Sequence, residues 1–219
     1  MVLPLGLSYR RMLLDVELGR LASGLGGMVL EIGAKRVARG RWRPPLERVR
    51  RWVRLNLEPD ECPDVVGDAL GLPVRDASVD WVVCVEVLQY VLSPEAAMGE
   101  IARVLAPGGA AVVAVPFFHR ADGPTDRHRF TELRARELVE GAGLRTLALV
   151  AQGRFFATLA NQLRQAAAHV GSRPVRWLVG AGLVPLAAFL IALDGLGPVR
   201  RSPFLTSFAT GFVALARKG

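Results

Sequence analysis

Short, strongly apolar runs recur along the chain with helix-like segments between them, and this alternation limits the fold more than any other feature. The runs lie at 28–32 (MVLEI), 65–66, 81–85 (WVVCV), 110–118 (AAVVAVPFF) and 145–151 (RTLALVA). A further strand emerges from "ERVRRWVRLNLE", which reads as a charged helix passing into a strand that ends near Glu58. These runs do not alternate apolar with polar residues, so both of their faces must be covered, as in a parallel sheet. The intervening segments have helical signatures. Residues 8–25 are amphipathic and stop at Gly24, Gly26 and Gly27. "SPEAAMGEIARVL" offers Ser93 as N-cap with Pro94 at the first helical position, and "TELRARELVEGAGL" is capped by Thr131. Repeated βαβ units predict an α/β fold: a doubly wound, Rossmann-like, mostly parallel seven-stranded sheet. The last strand is expected within "TSFATGFVALARKG".

In such sheets a ligand lies beyond the carboxyl ends of the strands. Glu31 with Gly33, Glu58, Asp68, Glu86 and His119 all fall at or just after predicted strand ends. That convergence is the strongest sign of a site. The first of these turns, "EIGAKRV", begins like a nucleotide loop and then departs from one. Gly33 lets a ligand approach the backbone closely, but Ala34, Lys35, Arg36 and Val37 follow where more glycines would be usual. A lysine carries a Cβ and cannot adopt positive φ cheaply.

Charge and cysteine content narrow the classes further. The chain of 219 residues carries a net charge of +8, and residues 35–54 hold nine basic side chains against the single acid Glu47. This is either a solvated basic face or a surface that meets phosphates. No basic stripe is interleaved with aromatics, so nucleic acid is not a clear partner. Cys62 and Cys84 form no CxxC pair and have no histidine-rich surroundings. No metal site and no disulfide framework are expected, and a reducing, cytoplasmic setting is. Tyr9-Arg10-Arg11 interrupts the first apolar stretch, so no signal peptide is expected.

Before the last strand comes an apolar helical insert. "FFATLANQLRQAAAHV" is amphipathic, and 177–193 then runs 17 residues without a charge, flanked by Arg173, Arg176, Asp194, Arg200 and Arg201. That length is at the lower limit for a bilayer span, and Gly180, Gly182 and Pro185 interrupt it. A single crossing would also put the last strand on the wrong side of the membrane. Three readings remain open. The segment lies in the plane of an anionic membrane, it caps the substrate site, or it spans. The first would make the protein peripheral at the inner membrane face. The layout is then one domain, 1–219, with an N-terminal helix at 1–27, a ligand-binding core at 28–150, the insert at 151–203 and the last strand at 204–219.

Over about residues 28–150 the motif order resembles the class I S-adenosylmethionine-dependent methyltransferases, in particular the small-molecule, type 11-like group. The segments that carry it are "VLEIG", "GDALGLPVRDASVDWVV", "EVLQYVLSPEAAMGEIARVLAPGGAAVVAVPFF" and "HRADGPTDRHRFT". The resemblance implies S-adenosylmethionine as cofactor and assigns roles by position. Glu31 and Gly33 would lie near the methionine end, with Lys35 beside them, able to pair with the cofactor's carboxylate. Glu58 would accept the ribose hydroxyls. Asp68 and the N–H of Ala69 would meet the adenine, and Glu86 would floor the sulfonium. His119 is the candidate base for an acceptor hydroxyl, with Asp126 on the same loop to orient it or bind substrate. The chain departs from the family pattern at Lys35, and at Gln89 and Tyr90, where an acid and a histidine are common. The implied function is methyl transfer to a small or lipid- or glycan-linked acceptor. The alternatives are a non-catalytic scaffold that has lost its cofactor, and a nucleic-acid-directed methyltransferase.

Overall fold

A computed structural model describes residues 8–37, 40–169 and 172–219, with no side-chain detail at 173–181. Seven strands form one sheet in the order β3-β2-β1-β4-β5-β7-β6. In chain order they are β1 (Gly27–Ile32), β2 (Val49–Asn56), β3 (Val65–Val66), β4 (Val79–Val85), β5 (Leu105–Pro116), β6 (Leu144–Ala151) and β7 (Gly211–Lys218). Strands β1 to β5 pair in parallel, and only β7 runs antiparallel, between β5 and β6. The expected doubly wound architecture is therefore present.

The helices are α1 (Tyr9–Leu21), α2 (Pro94–Val104), α3 (Glu132–Gly141), α4 (Phe155–Ala168), α5 (Arg173–Leu193), α6 (Gly197–Arg201) and α7 (Pro203–Thr206). Their ends follow from side-chain capping. Ser93 Oγ accepts the N–H of Ala96, and Thr131 Oγ1 accepts that of Arg134. Lys218, near the end of β7, donates its ammonium to the carbonyls of Ala102 and Leu105 at the end of α2, where a cation suits the helix dipole.

One expected helix is absent. Among the described residues, those between β1 and β2 contain no helix, and "ERVRRW" runs directly into β2. Pro44 and Pro45 explain this, since proline lacks an N–H and drives its predecessor out of the α region. The first helix also ends at Leu21, short of residue 25, and Leu25 instead packs into the core. The last strand is narrower than 204–219, because α7 takes up its first residues.

Alternate residues of the strands face two cores. One face buries Leu30, Ile32, Leu55, Val82, Cys84 and Val113 with Met98 and Ile101 of α2 and Leu138 of α3. The other buries Val29, Val83, Val112 and Val213 under Leu14, Leu18 and Leu21 of α1, with Trp42, Trp52 and Trp81 filling the margin. Each such leucine contributes about 1.5–3 kcal/mol.

The insert packs on α1 through Tyr9, Ala160, Ala187 and Leu190. Asp194, 5% exposed, closes it: its carboxylate accepts the N–H groups of Arg154 (2.7 Å), Phe156 (3.1 Å) and Ala157 (3.1 Å), capping α4 from the end of α5. Because β6 and β7 are paired neighbours, the insert leaves and re-enters one sheet, and α5 is not a single crossing. Among the described residues no helix is long and apolar enough to cross a membrane. The flanking Arg173 and Arg176 lie outside the described side chains.

Candidate active site at the carboxyl edge of the sheet

At the end of β1, Gly33 adopts φ +75°, and a Cβ there would stand 2.3 Å from Val87 Cγ2. Only glycine fits this approach between the turns after β1 and β4. Glu31 is anchored through one oxygen, which accepts the Trp52 indole N–H at 2.8 Å. Lys35 turns aside: its ammonium pairs with Glu61 at 2.7 Å, and Glu61 also accepts the N–H of Arg36. The glycine-poor continuation is thus fastened to the one-turn 3-10 helix at Pro59–Glu61.

The structure puts Asn56, not Glu58, at the end of β2. Asn56 is buried, donates to the carbonyl of Ala34 at 2.6 Å and accepts the N–H of Glu58 at 3.0 Å. Glu58 itself is exposed two residues further on. Beyond β3, Asp68 is also exposed and turns the chain by accepting the N–H of Leu70, while Ala69 is buried beside it. No group of three or more histidine, cysteine or carboxylate side chains among the described residues could hold a metal.

Glu86 anchors the centre of the edge. It has φ +58°, uncommon for a residue with a Cβ, and its Oε2 pairs with the guanidinium of Arg10 on α1. Arg10 is 8% exposed. Its Nε donates to the carbonyl of Thr210, and its backbone N–H donates to Asn161 Oδ1 on α4 at 3.1 Å. Thr210 in turn donates to the carbonyl of Gln152. One arginine therefore joins α1, α4, the end of β4 and the start of β7.

The loop after β5 is closed by a second ion pair. Arg129 grips both carboxylate oxygens of Asp126 at 2.6 Å each and donates to the carbonyls of His119 and Arg120. Asp126 also accepts the N–H of Asp122, and its side chain is 1% exposed. The arginine holds this carboxyl below its usual range. Asp126 is committed to shaping the loop, and among the described residues it makes no hydrogen bond to His119. Tyr90, in the place where a histidine is common, donates its hydroxyl to Asp122 at 3.0 Å. Burial, and after it this bond, raises its pKa.

His119 does not titrate near neutral pH as expected. Burial first, then the charges of Arg10, Arg120 and Arg129, lower its pKa to about 4, so it is a neutral imidazole at pH 7. Its Nδ1 is buried and unpartnered. Glu86 thus pairs with Arg10, whose charge also acts on His119, while Glu31 lies in β1 and Gly33 in the turn after it, against Val87 next to Glu86. Sequence reasoning missed Arg10, Asn56 and Asn161. Arg10 seemed only an interruption of an apolar stretch, and Asn56 was overlooked in favour of the charged residue two places on. Asn161 gave a weak signal: it shares one face of α4 with Thr158 and Gln165, a polar line among alanines.

Residues 30–113 match the family model for a methyltransferase domain. A 60-residue stretch is 40% identical to norajmaline N-methyltransferase of Rauvolfia serpentina, covering 27% of this chain and 20% of that one. A 78-residue stretch is 37% identical to a probable S-adenosylmethionine-dependent methyltransferase of Mycolicibacterium smegmatis, covering 34% of this chain and 30% of that one. The chain thus spans less than a third of the length of these curated relatives. Among solved structures, a methyltransferase of Thermotoga maritima described as a possible histamine N-methyltransferase superposes with a TM-score of 0.58 at 17% identity. That match covers 98% of this chain and 91% of the other, and at that identity it speaks for the fold alone.

Sheet order, the antiparallel seventh strand and the matched segment together define a Rossmann-like methyltransferase fold. Residues 30–113 are thus similar to a methyltransferase domain, and S-adenosylmethionine is the cofactor named for the Mycolicibacterium smegmatis relative.

Proposed function

We propose that this chain transfers a methyl group from S-adenosylmethionine to a small or lipid- or glycan-linked acceptor. The observation that carries this reading is the way three acids are held along the edge. Glu31, Asp68 and Glu86 each bind the protein through one oxygen. Among the described residues, the second oxygen of each makes no hydrogen bond. Half-satisfied carboxylates at Glu31 and Asp68 suit a ligand carrying an ammonium and an adenine amino group, and that of Glu86 faces the reacting centre between cofactor and acceptor. Gly33 gives that ligand backbone access, and Lys35, drawn off by Glu61, does not thrust a second cation at it.

In this reading Glu31 and Gly33 hold the methionine end, Glu58 the ribose, and Asp68 with Ala69 the adenine. Glu86 lies under the reacting centre. The cofactor supplies an electrophilic methyl group when bound. The protein's task is then mainly to position an acceptor in line with that methyl group. His119 is neutral at pH 7 and serves as a hydrogen-bond acceptor that orients a hydroxyl or amine, while its lowered pKa makes it a weak proton acceptor.

The insert supports an acceptor met at a membrane surface. Leu186 and Phe189, three apart on α5, are 45% and 60% exposed, and Phe204 on α7 is 66% exposed. Arg200 and Arg201 are exposed on the short helix between them. Exposed apolar side chains on α5 and α7, with arginines between them in the chain, suit in-plane contact with anionic lipid. Phe189→Glu should abolish sedimentation with phosphatidylglycerol vesicles, and equal binding by the variant would remove this part of the reading.

Thermal unfolding with S-adenosylhomocysteine tests the core of the proposal. At about 100 times its Kd the ligand stabilises by roughly 2.7 kcal/mol, a rise of about 5–10 °C for a chain this size. Glu58→Ala and Asp68→Ala should each reduce the rise. No rise in the folded wild type would favour the second reading, a scaffold whose Lys35–Glu61 pair has replaced the cofactor loop.

A further inference from the structure

The carboxyl edge holds more buried polar chemistry than the fold itself uses. Glu86 Oε1, His119 Nδ1, Gln152 Oε1 and Asn161 Nδ2 are all buried without a hydrogen-bond partner. Gln152 and Asn161 are wholly buried. An unmade bond at a buried polar atom is costly, and such atoms are ordinarily satisfied.

These atoms come from four places in the sequence, yet each of their residues is tied to Arg10, directly or through one neighbour. Asn161 accepts the backbone N–H of Arg10, and Glu86 accepts its guanidinium. The backbone carbonyl of Gln152 accepts both the N–H and the hydroxyl of Thr210, whose own carbonyl accepts Arg10 Nε, while the Gln152 side-chain amide donates to the carbonyl of Phe212. His119 feels the charge of Arg10 directly. The set provides two acceptor oxygens, one amide donor and a neutral ring nitrogen that can act either way. An anion does not suit it, because the guanidinium already faces Glu86 and two further oxygens would repel negative charge. A neutral group that both donates and accepts suits it well.

We propose that Glu86, His119, Gln152 and Asn161 form an acceptor subsite that binds a hydroxyl or amine, the group to be methylated. Asn161 is its specificity-determining contribution from the insert. This rests on the methyl-transfer reading above. Phe118, 49% exposed and joined through its carbonyl to Gln162 of α4, lies next to His119 in the chain and offers an apolar flank for the rest of the acceptor.

The test uses ethylene glycol, a neutral probe whose hydroxyls both donate and accept, titrated to high millimolar concentration into the full chain saturated with S-adenosylhomocysteine. Two-dimensional nitrogen–proton spectra follow the Asn161 side-chain amide and the His119 ring. Asn161→Asp keeps the oxygen that caps Arg10 but replaces the donor with an acceptor, and Gln152→Met removes one acceptor oxygen while filling its volume. The wild type should show saturable shifts at both reporters, with affinity weakened about tenfold, 1.4 kcal/mol, in either folded variant. Absence of shifts in the wild type overturns the proposal, as it would if ordered water holds these atoms too firmly for the probe to displace. So does unchanged affinity in a folded variant. Shifts of the Gly33 and Ala69 amides on adding S-adenosylhomocysteine report cofactor binding separately. Their absence would sink the methyltransferase reading, whereas probe shifts at Asn161 and His119 would still register a polar subsite.

Discussion

Arg10 on the first helix and Glu86 at the end of β4, 76 positions apart, form a buried ion pair that ties the N-terminal helix to the carboxyl edge of the sheet. Side-chain exposures of 10% and 13% put this pair well out of bulk water. Removing one partner strands the other charge, which typically costs 3–5 kcal/mol. Arg10→Met should therefore lower stability by about that much, read by urea unfolding. Adding Glu86→Gln should recover much of the loss. If the double variant is no more stable than Arg10→Met alone, the pair is not what links helix and sheet.

Gly33 tests the contact between the turns after β1 and β4. Gly33→Ala combines a left-handed backbone with a Cβ only 2.3 Å from Val87 Cγ2. The strain should cost on the order of 1–3 kcal/mol and remove the thermal shift given by S-adenosylhomocysteine. Val87→Ala in the same chain relieves the clash but not the φ, so only part of the stability should return.

Much of this fold was legible because its strands are nearly pure apolar runs and its helices carry strong caps. Ser93 with Pro94, and Thr131, mark helix starts that the structure reproduces. The helix expected before β2 failed because the charge pattern of "ERVRRW" outweighed Pro44 and Pro45 in the reading, and because Trp52 and Val53 belong to the sheet. The position of acids at the carboxyl edge was legible where an acid falls at a strand end, as at Glu31 in the last residues of β1 and Glu86 just after β4. The site was hidden where function depends on distant partners. Nothing near Arg10 in sequence points to Glu86, and nothing near Asn161 points to Arg10. The commitment of Asp126 to Arg129 was visible as a spacing of three, but only the structure shows both carboxylate oxygens taken.

Asp194 should behave as a remote helix cap. It accepts three N–H groups of the first turn of α4 from the far end of α5. Losing a cap costs about 0.5–2 kcal/mol, and three bonds to a buried carboxylate put Asp194→Ala at the upper end of that range. Hydrogen exchange should then quicken in α4 while the amides of β4 and β5 keep their protection. Uniform loss of protection would mean that the insert unfolds together with the sheet.

Burial raises the Cys84 thiol, with some help from Glu86, to about 12, whereas Cys62 is exposed. Since the thiolate is the reactive form, iodoacetamide at pH 8 should label Cys62 alone in the folded protein, with Cys84 following only in denaturant. Mass spectrometry of the digested protein reads this directly, and rapid labelling of Cys84 in the native state would show that the strand core opens.

His119 makes stability depend on pH with a definite sign. Its folded pKa of about 4 lies below the unfolded value of 6.5, so between those limits the unfolded chain binds more protons than the folded one. The stabilisation is complete above pH 6.5 and is lost as the pH falls towards 4. Its size is at most on the order of 3 kcal/mol, less whatever solvent screening at this partly exposed side chain removes. Urea midpoints measured from pH 7.5 down to 4.5 should fall for the wild type and fall less for His119→Gln, which keeps a polar side chain without a titrating ring. Parallel curves for the two proteins would show that the imidazole is solvated and free to protonate, and a neutral base at the acceptor subsite would then be untenable.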